Sequence, residues 1–314
     1  MICLACHTLL EKKDVLYHSK CLNHFWQTDT PVLQLDYAIS EIDKLAKENI
    51  AQRISVTGVQ PKLSLGFTDE SNTRLTIVGA LNGRFILKLP NTEYPQMPKI
   101  EALSMCLAKA CGIDTVPFLL IALKGGELSY LTKRIDRDYK GNKLAMEDAC
   151  QFTNRLTADK YESSHEKIAK AINQYAYNPL ISVVRFYEQV IVSFLIGNSD
   201  MHLKNFSLIA KQINKYELAP VYDMISTQLL LPEDKDELAL HLNGKKRKLK
   251  RKDFDEAMKK ANLTEKVIQN LWKRIEKGTL NWTTLIDNSF LTLENKEKLK
   301  EIIEHKKQQL DINL

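Results

Sequence analysis

Asp200 and Asn205 stand five residues apart in the polar run Ile196-Gly197-Asn198-Ser199-Asp200-Met201-His202-Leu203-Lys204-Asn205, directly after an apolar stretch at residues 181–195. A carboxylate that accepts the proton of a hydroxyl, followed one loop later by an amide oxygen that reaches a Mg²⁺ on nucleotide phosphates, has this Asp-x₄-Asn spacing. His202 and Lys204 lie between the two and can face a γ-phosphate or the loop backbone. Taken alone, the spacing is a weak signal and the run reads better as a polar turn between a helix and a hairpin.

Three further features keep it company. Asp223 follows 18 residues after Asn205, inside the apolar frame Pro220-Val221-Tyr222-Asp223-Met224-Ile225. A carboxylate there is costly unless paired or bound to a metal, and a hard oxygen ligand for Mg²⁺ accounts for it. A helix N-cap is the alternative. Upstream, Arg84-Phe85-Ile86-Leu87-Lys88-Leu89-Pro90 sets Lys88 within an apolar strand, and Glu101 follows at the start of a helical pattern. A strand lysine on the nucleotide phosphates, held by a helix glutamate, is a phosphoryl-transfer arrangement; a snorkelling lysine and a surface glutamate are the alternative. Finally, the Ser55-Val56-Thr57-Gly58-Val59-Gln60-Pro61-Lys62 segment has one glycine, hydroxyls and a lysine, a composition able to wrap phosphates with backbone N–H groups. Each feature is weak by itself. Their order along the chain is what carries weight.

These residues need a scaffold, and the patterning supplies one. Residues 1–30 form a short Cys/His segment, and residues 35–50 carry apolar side chains at helical spacing. Short strands are expected at 55–67, 74–78, 84–88, 116–123 and 128–134, with a helix at 99–111 and a turn at Gly125-Gly126. Beyond residue 145 helices dominate: 181–195, then 253–262, 264–277 and 293–309, started by Asp253, Thr264 and Thr292. A hairpin is expected at 206–218 and a strand at 238–242. The expected fold is α+β and two-lobed: an N-terminal segment and helix (1–50), a β-rich N-lobe (51–135) and a mostly helical C-lobe (136–314). Such a layout suits a cleft that closes over a nucleotide.

Composition sets the outer bounds. The chain has 314 residues and 44% hydrophobic residues, enough for a sizeable core without disulfides. No apolar run approaches the ~20 residues of a membrane helix, and the start lacks the pattern of a signal peptide. A cytoplasmic location and reduced thiols are expected. The net charge of +6 owes much to Lys245-Lys246-Arg247-Lys248-Leu249-Lys250-Arg251-Lys252. That run is either a solvated turn with counter-ions or a contact for a polyanion.

The motifs together resemble those of HipA-family serine/threonine kinases. The matching stretches are residues 55–62, Phe-Ile-Leu-Lys-Leu-Pro (85–90), Lys-Arg-Ile-Asp-Arg (133–137), Met-Glu-Asp-Ala-Cys-Gln (146–151), Lys-Tyr-Glu (160–162), the 196–207 run and Pro-Val-Tyr-Asp-Met-Ile-Ser (220–226). The resemblance implies a protein-kinase-like fold and ATP with Mg²⁺ as cofactors. It implies Asp200 as catalytic base, Asn205 and Asp223 as Mg²⁺ ligands and Lys88 as the phosphate-binding lysine. It also implies a phosphate loop of Thr57, Gly58, Val59, Gln60, Pro61 and Lys62. Lys133, Arg134 and Ile135 match the adenine-holding segment, Asp136 the ribose contact, and His202, Lys204 and Tyr222 further nucleotide contacts. Ser55 and Thr57 match autophosphorylated positions.

Only 54 residues precede Ser55, whereas full-length members carry a whole extra subdomain before this loop. The chain is therefore most similar to the short HipT form of a tripartite toxin–antitoxin system. That similarity implies a HipS-like small subunit supplying the missing part and a HipB-like antitoxin that makes the DNA contact. It also implies an aminoacyl-tRNA synthetase substrate. A small-molecule or lipid kinase would share the ATP machinery. A pseudokinase or DNA-associated binding module is disfavoured by the intact Lys88, Asp200, Asn205 and Asp223.

Cys3-x₂-Cys6 and His18-x₂-Cys21 are separate from all this. Two close pairs of soft ligands suit tetrahedral Zn²⁺, with His24 as a spare; free thiols are the alternative. Cys106, Cys111 and Cys150 sit in apolar contexts and read as core residues.

Overall fold

The computed structural model describes residues 1–12, 15–27, 31–42, 62–68, 74–79, 83–90, 93–138 and 140–312. The expectations for residues 43–61, including Ser55 and the loop from Thr57 to Pro61, lie outside the described residues. The chain divides into two compact units. One comprises residues 1–103, 116–143 and 288–291; the other 104–115, 144–287 and 292–314.

The first unit is built on an antiparallel sheet. Its strands are β1 (Lys62–Phe67), β2 (Leu75–Ile77), β3 (Phe85–Lys88), β4 (Phe118–Ala122) and β5 (Leu128–Lys133), in the order β2-β1-β3-β5-β4. Register decides which residues share a face. Leu65 lies opposite Phe85, and Phe85 opposite Lys133. The helix α1 (Ser19–Trp26) covers that face: Phe25 packs on Phe85 with ring centroids 5.8 Å apart, and Trp26 on Phe85 at 5.4 Å. The opposite face carries Lys62, Lys88 and Tyr130, which are neighbours across β1, β3 and β5. It meets the first half of α2 (Met97–Ala110) through Glu101.

β4 is an edge strand, and edges invite unwanted pairing. Here two segments cap it. Leu120 N–H donates to Leu4 O at 2.9 Å, and Leu35 N–H donates to Ala122 O at 2.9 Å. The helix expected from residue 35 therefore begins later, at residue 39. Leu35 is buried because it extends along the sheet edge, and its spacing to the following apolar residues only imitates a helix.

The second unit is mostly helical. Its centre is α5 (Pro179–Leu195), following β6 (Ala145–Asp148), α3 (Ala149–Phe152) and α4 (His165–Tyr175). From Gln189 to Leu195, α5 is buried all round, in keeping with a sequence in which only Gln189 and Ser193 are polar. β7 (Ser207–Gln212) and β8 (Lys215–Leu218) form the expected hairpin, turning at Asn214 with φ +59°, and β6 adds to β7. Then come α6 (Arg251–Lys260), α7 (Glu265–Thr279), α8 (Trp282–Asp287) and α9 (Leu293–Gln309). α6 starts two residues before the expected Asp253. That carboxylate accepts from Lys250 N–H at 3.0 Å and so closes the first turn from within. Residues 238–242 are not a strand. Leu238, Leu240 and Leu242 are fully buried, but the segment is bent and its backbone makes only isolated bridges, His241 to Ser164 and Leu242 to Lys245. Among the described residues, no helix is long and apolar enough to cross a membrane.

Candidate active site

In the first unit, Lys88 Nζ lies 2.5 Å from Glu101 Oε1, and the two residues are 4% and 2% exposed. Burying both charges costs several kcal/mol each, which their close contact must offset. The ammonium also sits 5.4 Å from the Tyr130 ring centroid. Lys62 is the cross-strand partner of Lys88. Two cations placed opposite each other repel, and a bound polyanion would relieve that. At the far end of β5, Lys133 donates to Gln27 Oε1 at 3.2 Å and lies 5.8 Å from the Phe25 ring centroid. Burial, with the Arg84 charge behind it, lowers its ammonium to about 8. Arg134 grips Asp136 through two bonds of 2.9 and 2.7 Å. Burial raises the Asp136 carboxyl, but Arg134 and Arg137 more than offset this and hold it below the usual carboxylate range.

In the second unit, the chain leaves α5 through Gly197 at φ +70°, a conformation that strains any other residue. A Cβ there would also meet Gln228 Oε1 at 2.8 Å and Ile302 Cγ2 at 2.9 Å. The following loop is tied down at nearly every residue. Ser199 N–H donates to Thr227 Oγ1 at 2.7 Å, and Ser199 Oγ donates to Asp234 at 2.6 Å. Asp200 N–H donates to Asn198 Oδ1 at 3.1 Å. Asn205 closes a short 3₁₀ turn, Leu203–Asn205, by accepting from His202 N–H at 3.1 Å.

Asp223 has φ +54° and is flanked by the buried Val221 and Met224. Val221 bridges Thr115, which fixes the strand-like approach to it. Tyr222 joins this segment to the loop: its phenol donates to Lys204 O at 3.0 Å and lies 2.5 Å from Ser207 Oγ. The carbonyl it holds belongs to the residue before Asn205. The two expected Mg²⁺ ligands are thus coupled through one half-buried tyrosine. Burial pushes that phenol above its ordinary range, so it remains a donor.

Comparison with known proteins gives this geometry a family. Residues 54–282 match the model of the HipA-like C-terminal domain. The chain belongs to that family. It is 32% identical over 186 residues to a Haemophilus influenzae protein named "Putative kinase", an alignment covering 56% of this chain and 53% of that one. It is 24% identical over 196 residues to the "Serine/threonine-protein kinase toxin HipA" of Shewanella oneidensis, covering 56% and 44%. The chain spans about half the length of these curated relatives. A solved Shewanella oneidensis complex of HipA, HipB and operator DNA contains a chain that superposes with a TM-score of 0.66, at 19% identity, over 85% of this chain and 71% of that one. The fold is α+β and kinase-like, of the HipA type.

Within this HipA-like chain the sequence-chosen residues fall into two sets. Lys62, Lys88, Lys133, Arg134, Ile135 and Asp136 lie in the first unit; Asp200, His202, Lys204, Asn205, Tyr222 and Asp223 lie in the second. Two further residues enter that sequence reasoning did not single out. Tyr161 donates its phenol to Asp200 Oδ1 at 2.5 Å, and its ring meets His202 edge-on at 5.1 Å. Asp148 accepts Lys204 Nζ at 2.5 Å, so the lysine expected to face a phosphate or the loop backbone is held by a carboxylate. Both belong to matching stretches, 146–151 and 160–162, but their types alone suggested no role. Burial lowers the His202 imidazole against the pull of Asp200.

The basic run 245–252 is partly neutralised. Lys245 pairs with Asp253 at 2.8 Å, Arg247 with Asp236 at 2.6 Å and Arg251 with Glu276 at 3.0 Å. At the N-terminus, the ligand atoms of Cys3, Cys6, His18 and Cys21 all lie within 4.8 Å of one another.

Proposed function

We propose that the chain is an ATP- and Mg²⁺-dependent serine/threonine protein kinase. The observation that carries this reading is the buried Lys88–Glu101 pair, because a fully enclosed ion pair on a strand next to a second lysine has a ready use in holding phosphates. Asn205 and Asp223 offer an amide and a carboxylate oxygen, a donor set suited to a hard divalent cation. Mg²⁺ bound there would neutralise phosphate charge. Asp200 is the base: its carboxylate takes the proton of the acceptor hydroxyl. Tyr161 orients it, and Tyr222 keeps the two metal ligands in register. Lys62 and Lys88 bind the phosphates, while Lys133, Arg134, Ile135 and Asp136 receive the nucleoside.

The family and the toxin relative support a toxin role in a toxin–antitoxin system. In this proposal a HipB-like protein restrains the chain and carries it to DNA, a HipS-like subunit completes it, and the substrate is an aminoacyl-tRNA synthetase. Autophosphorylation at Ser55 or Thr57 would add nearly two negative charges to the segment leading into Lys62, competing with ATP.

The test is incubation of the chain with labelled ATP, Mg²⁺ and a cell lysate, beside Asp200→Asn. A discrete labelled protein that disappears in the variant is the expected result; equal labelling by both would reject the mechanism. Mass spectrometry of the two purified chains checks self-modification. Phosphate on Ser55 or Thr57 of the Asp200→Asn chain would rule it out.

A further inference from the structure

The N-terminal Cys/His cluster contains none of the residues proposed for phosphoryl transfer, and its four ligand atoms are drawn together. Residues 2–9 fold back on themselves: Ile2 bridges Leu9, Cys3 N–H donates to Thr8 O at 2.9 Å, and His7 N–H donates to Cys3 O at 3.0 Å. This knuckle presents Cys3 and Cys6 together. The second pair spans the first turn of α1, where Cys21 N–H donates to His18 O at 2.9 Å.

We infer that Cys3, Cys6, His18 and Cys21 form a structural Zn²⁺ site. Two independent observations carry the inference. First, a tetrahedral site with Zn–S near 2.3 Å and Zn–N near 2.0 Å has ligand-to-ligand edges of about 3.5–3.8 Å. The Cys6 Sγ to His18 Nδ1 distance is 3.4 Å, and none of the four ligand atoms is more than 4.8 Å from another. Second, His18 Nε2 lies 3.0 Å from Leu9 O. A carbonyl can only accept, so Nε2 carries the proton and Nδ1 is left as a lone-pair donor facing Cys6. That outer hydrogen bond is the usual means of fixing the tautomer of a zinc-bound imidazole. All six cysteines are free thiols, so no disulfide competes for these sulfurs.

The site has a defined structural task. The knuckle caps the β4 edge through Leu4, and Tyr17, just before His18, donates its phenol to Leu120 O at 2.7 Å. The ligand Cys21 sits on the helix whose Phe25 and Trp26 cover the sheet face behind Lys88. Zinc would lock the knuckle and the helix to each other, and both to the sheet.

Metal analysis of the full chain, purified without chelator from zinc-supplemented cells, is the experiment. About one zinc per chain is expected, lost in Cys6→Ser and Cys21→Ser and kept in Cys106→Ala. The metal-stripped chain should take up one equivalent of Co²⁺ with the visible absorption of a tetrahedral thiolate site. If the serine variants do not fold, native alkylation of the unaltered chain decides: Cys3, Cys6 and Cys21 should be protected until a strong chelator is added. Absence of near-stoichiometric zinc together with no Co²⁺ uptake would overturn the inference. So would equal alkylation with and without chelator, or a mass two hydrogens lighter, which marks a disulfide.

Discussion

Tyr161 donates its phenol to Asp200 Oδ1 across 2.5 Å, so the carboxylate proposed as base is held by a side chain from outside its own loop. Burial and the neighbouring carboxylate push that phenol above its ordinary range, which keeps it protonated and donating. A hydrogen bond to a charged group is worth roughly 1.5–3 kcal/mol. Tyr161→Phe is therefore expected to lower kcat by about tenfold or more and to leave the KM for ATP within about twofold, since the bond orients the base and not the nucleotide. Steady-state kinetics at varied ATP checks this. An effect confined to KM would remove Tyr161 from the role of positioning residue.

The Lys88–Glu101 pair makes a prediction about stability as well as activity. Removing one partner of a buried pair leaves the other charge without its counter-ion and costs about 3–5 kcal/mol, whereas replacing both costs much less. Glu101→Gln and Lys88→Met should each destabilise strongly, and the double variant should be more stable than the sum of the two losses implies. Urea unfolding of all four chains measures the coupling. Additive losses would mean the pair is not the unit that matters.

How far the sequence reveals this site depends on how local each feature is. Asp200, Asn205 and Asp223 are readable because their spacing is fixed along one short stretch, and Lys88 because a charge within an apolar strand is anomalous on its own. Tyr161 and Asp148 are not readable from residue type, since their partners are 39 and 56 residues away and only folding brings them near. The same holds for the fold. Helices with one apolar face appear close to where periodicity puts them, as at Glu265–Thr279. The misreadings at residues 35–38 and 238–242 share one cause. Both segments are buried by tertiary contacts of irregular backbone, and burial imprints an apolar pattern without a repeating hydrogen-bond ladder. The ligands proposed for zinc are legible as two pairs, but only the structure shows that His18 turns Nδ1 toward Cys6 and Nε2 toward Leu9 O.

Asp148 does two jobs that substitutions can separate. Its side chain caps α3 by accepting from Gln151 N–H at 3.1 Å, and it holds Lys204 at 2.5 Å. Asparagine preserves a cap but not the ion pair, while alanine removes both. The expected order of stability is wild type, then Asp148→Asn, then Asp148→Ala, with about 1 kcal/mol between the last two from the lost cap. Thermal melts of the three chains test it. Equal melting temperatures for the asparagine and alanine variants would show that the cap contributes nothing.

His165 gives the second unit a dependence on acid. It is 1% exposed, its Nδ1 lies 3.0 Å from His241 O, and its ring packs on Phe186 and Phe206, the latter at the end of the 196–205 loop. Burial lowers its imidazole to about 4, against the hydrogen bond to the His241 carbonyl and the Glu166 charge, with the His241 and Lys246 charges assisting. At neutral pH the ring is uncharged in both the folded and the unfolded chain. As pH falls below about 6.5 the unfolded ring takes up a proton that the folded ring refuses until about 4, so stability is lost across that window. Between pH 7.5 and pH 5 the loss from this one group is about 2 kcal/mol. His165→Phe keeps an aromatic ring but cannot titrate. Its absolute stability should be lower, because the bond to His241 is gone, while its decline between the two pH values should be smaller than that of the wild type by about 2 kcal/mol. Urea denaturation at both pH values gives the four free energies needed, and parallel declines would show that His165 does not govern the acid response.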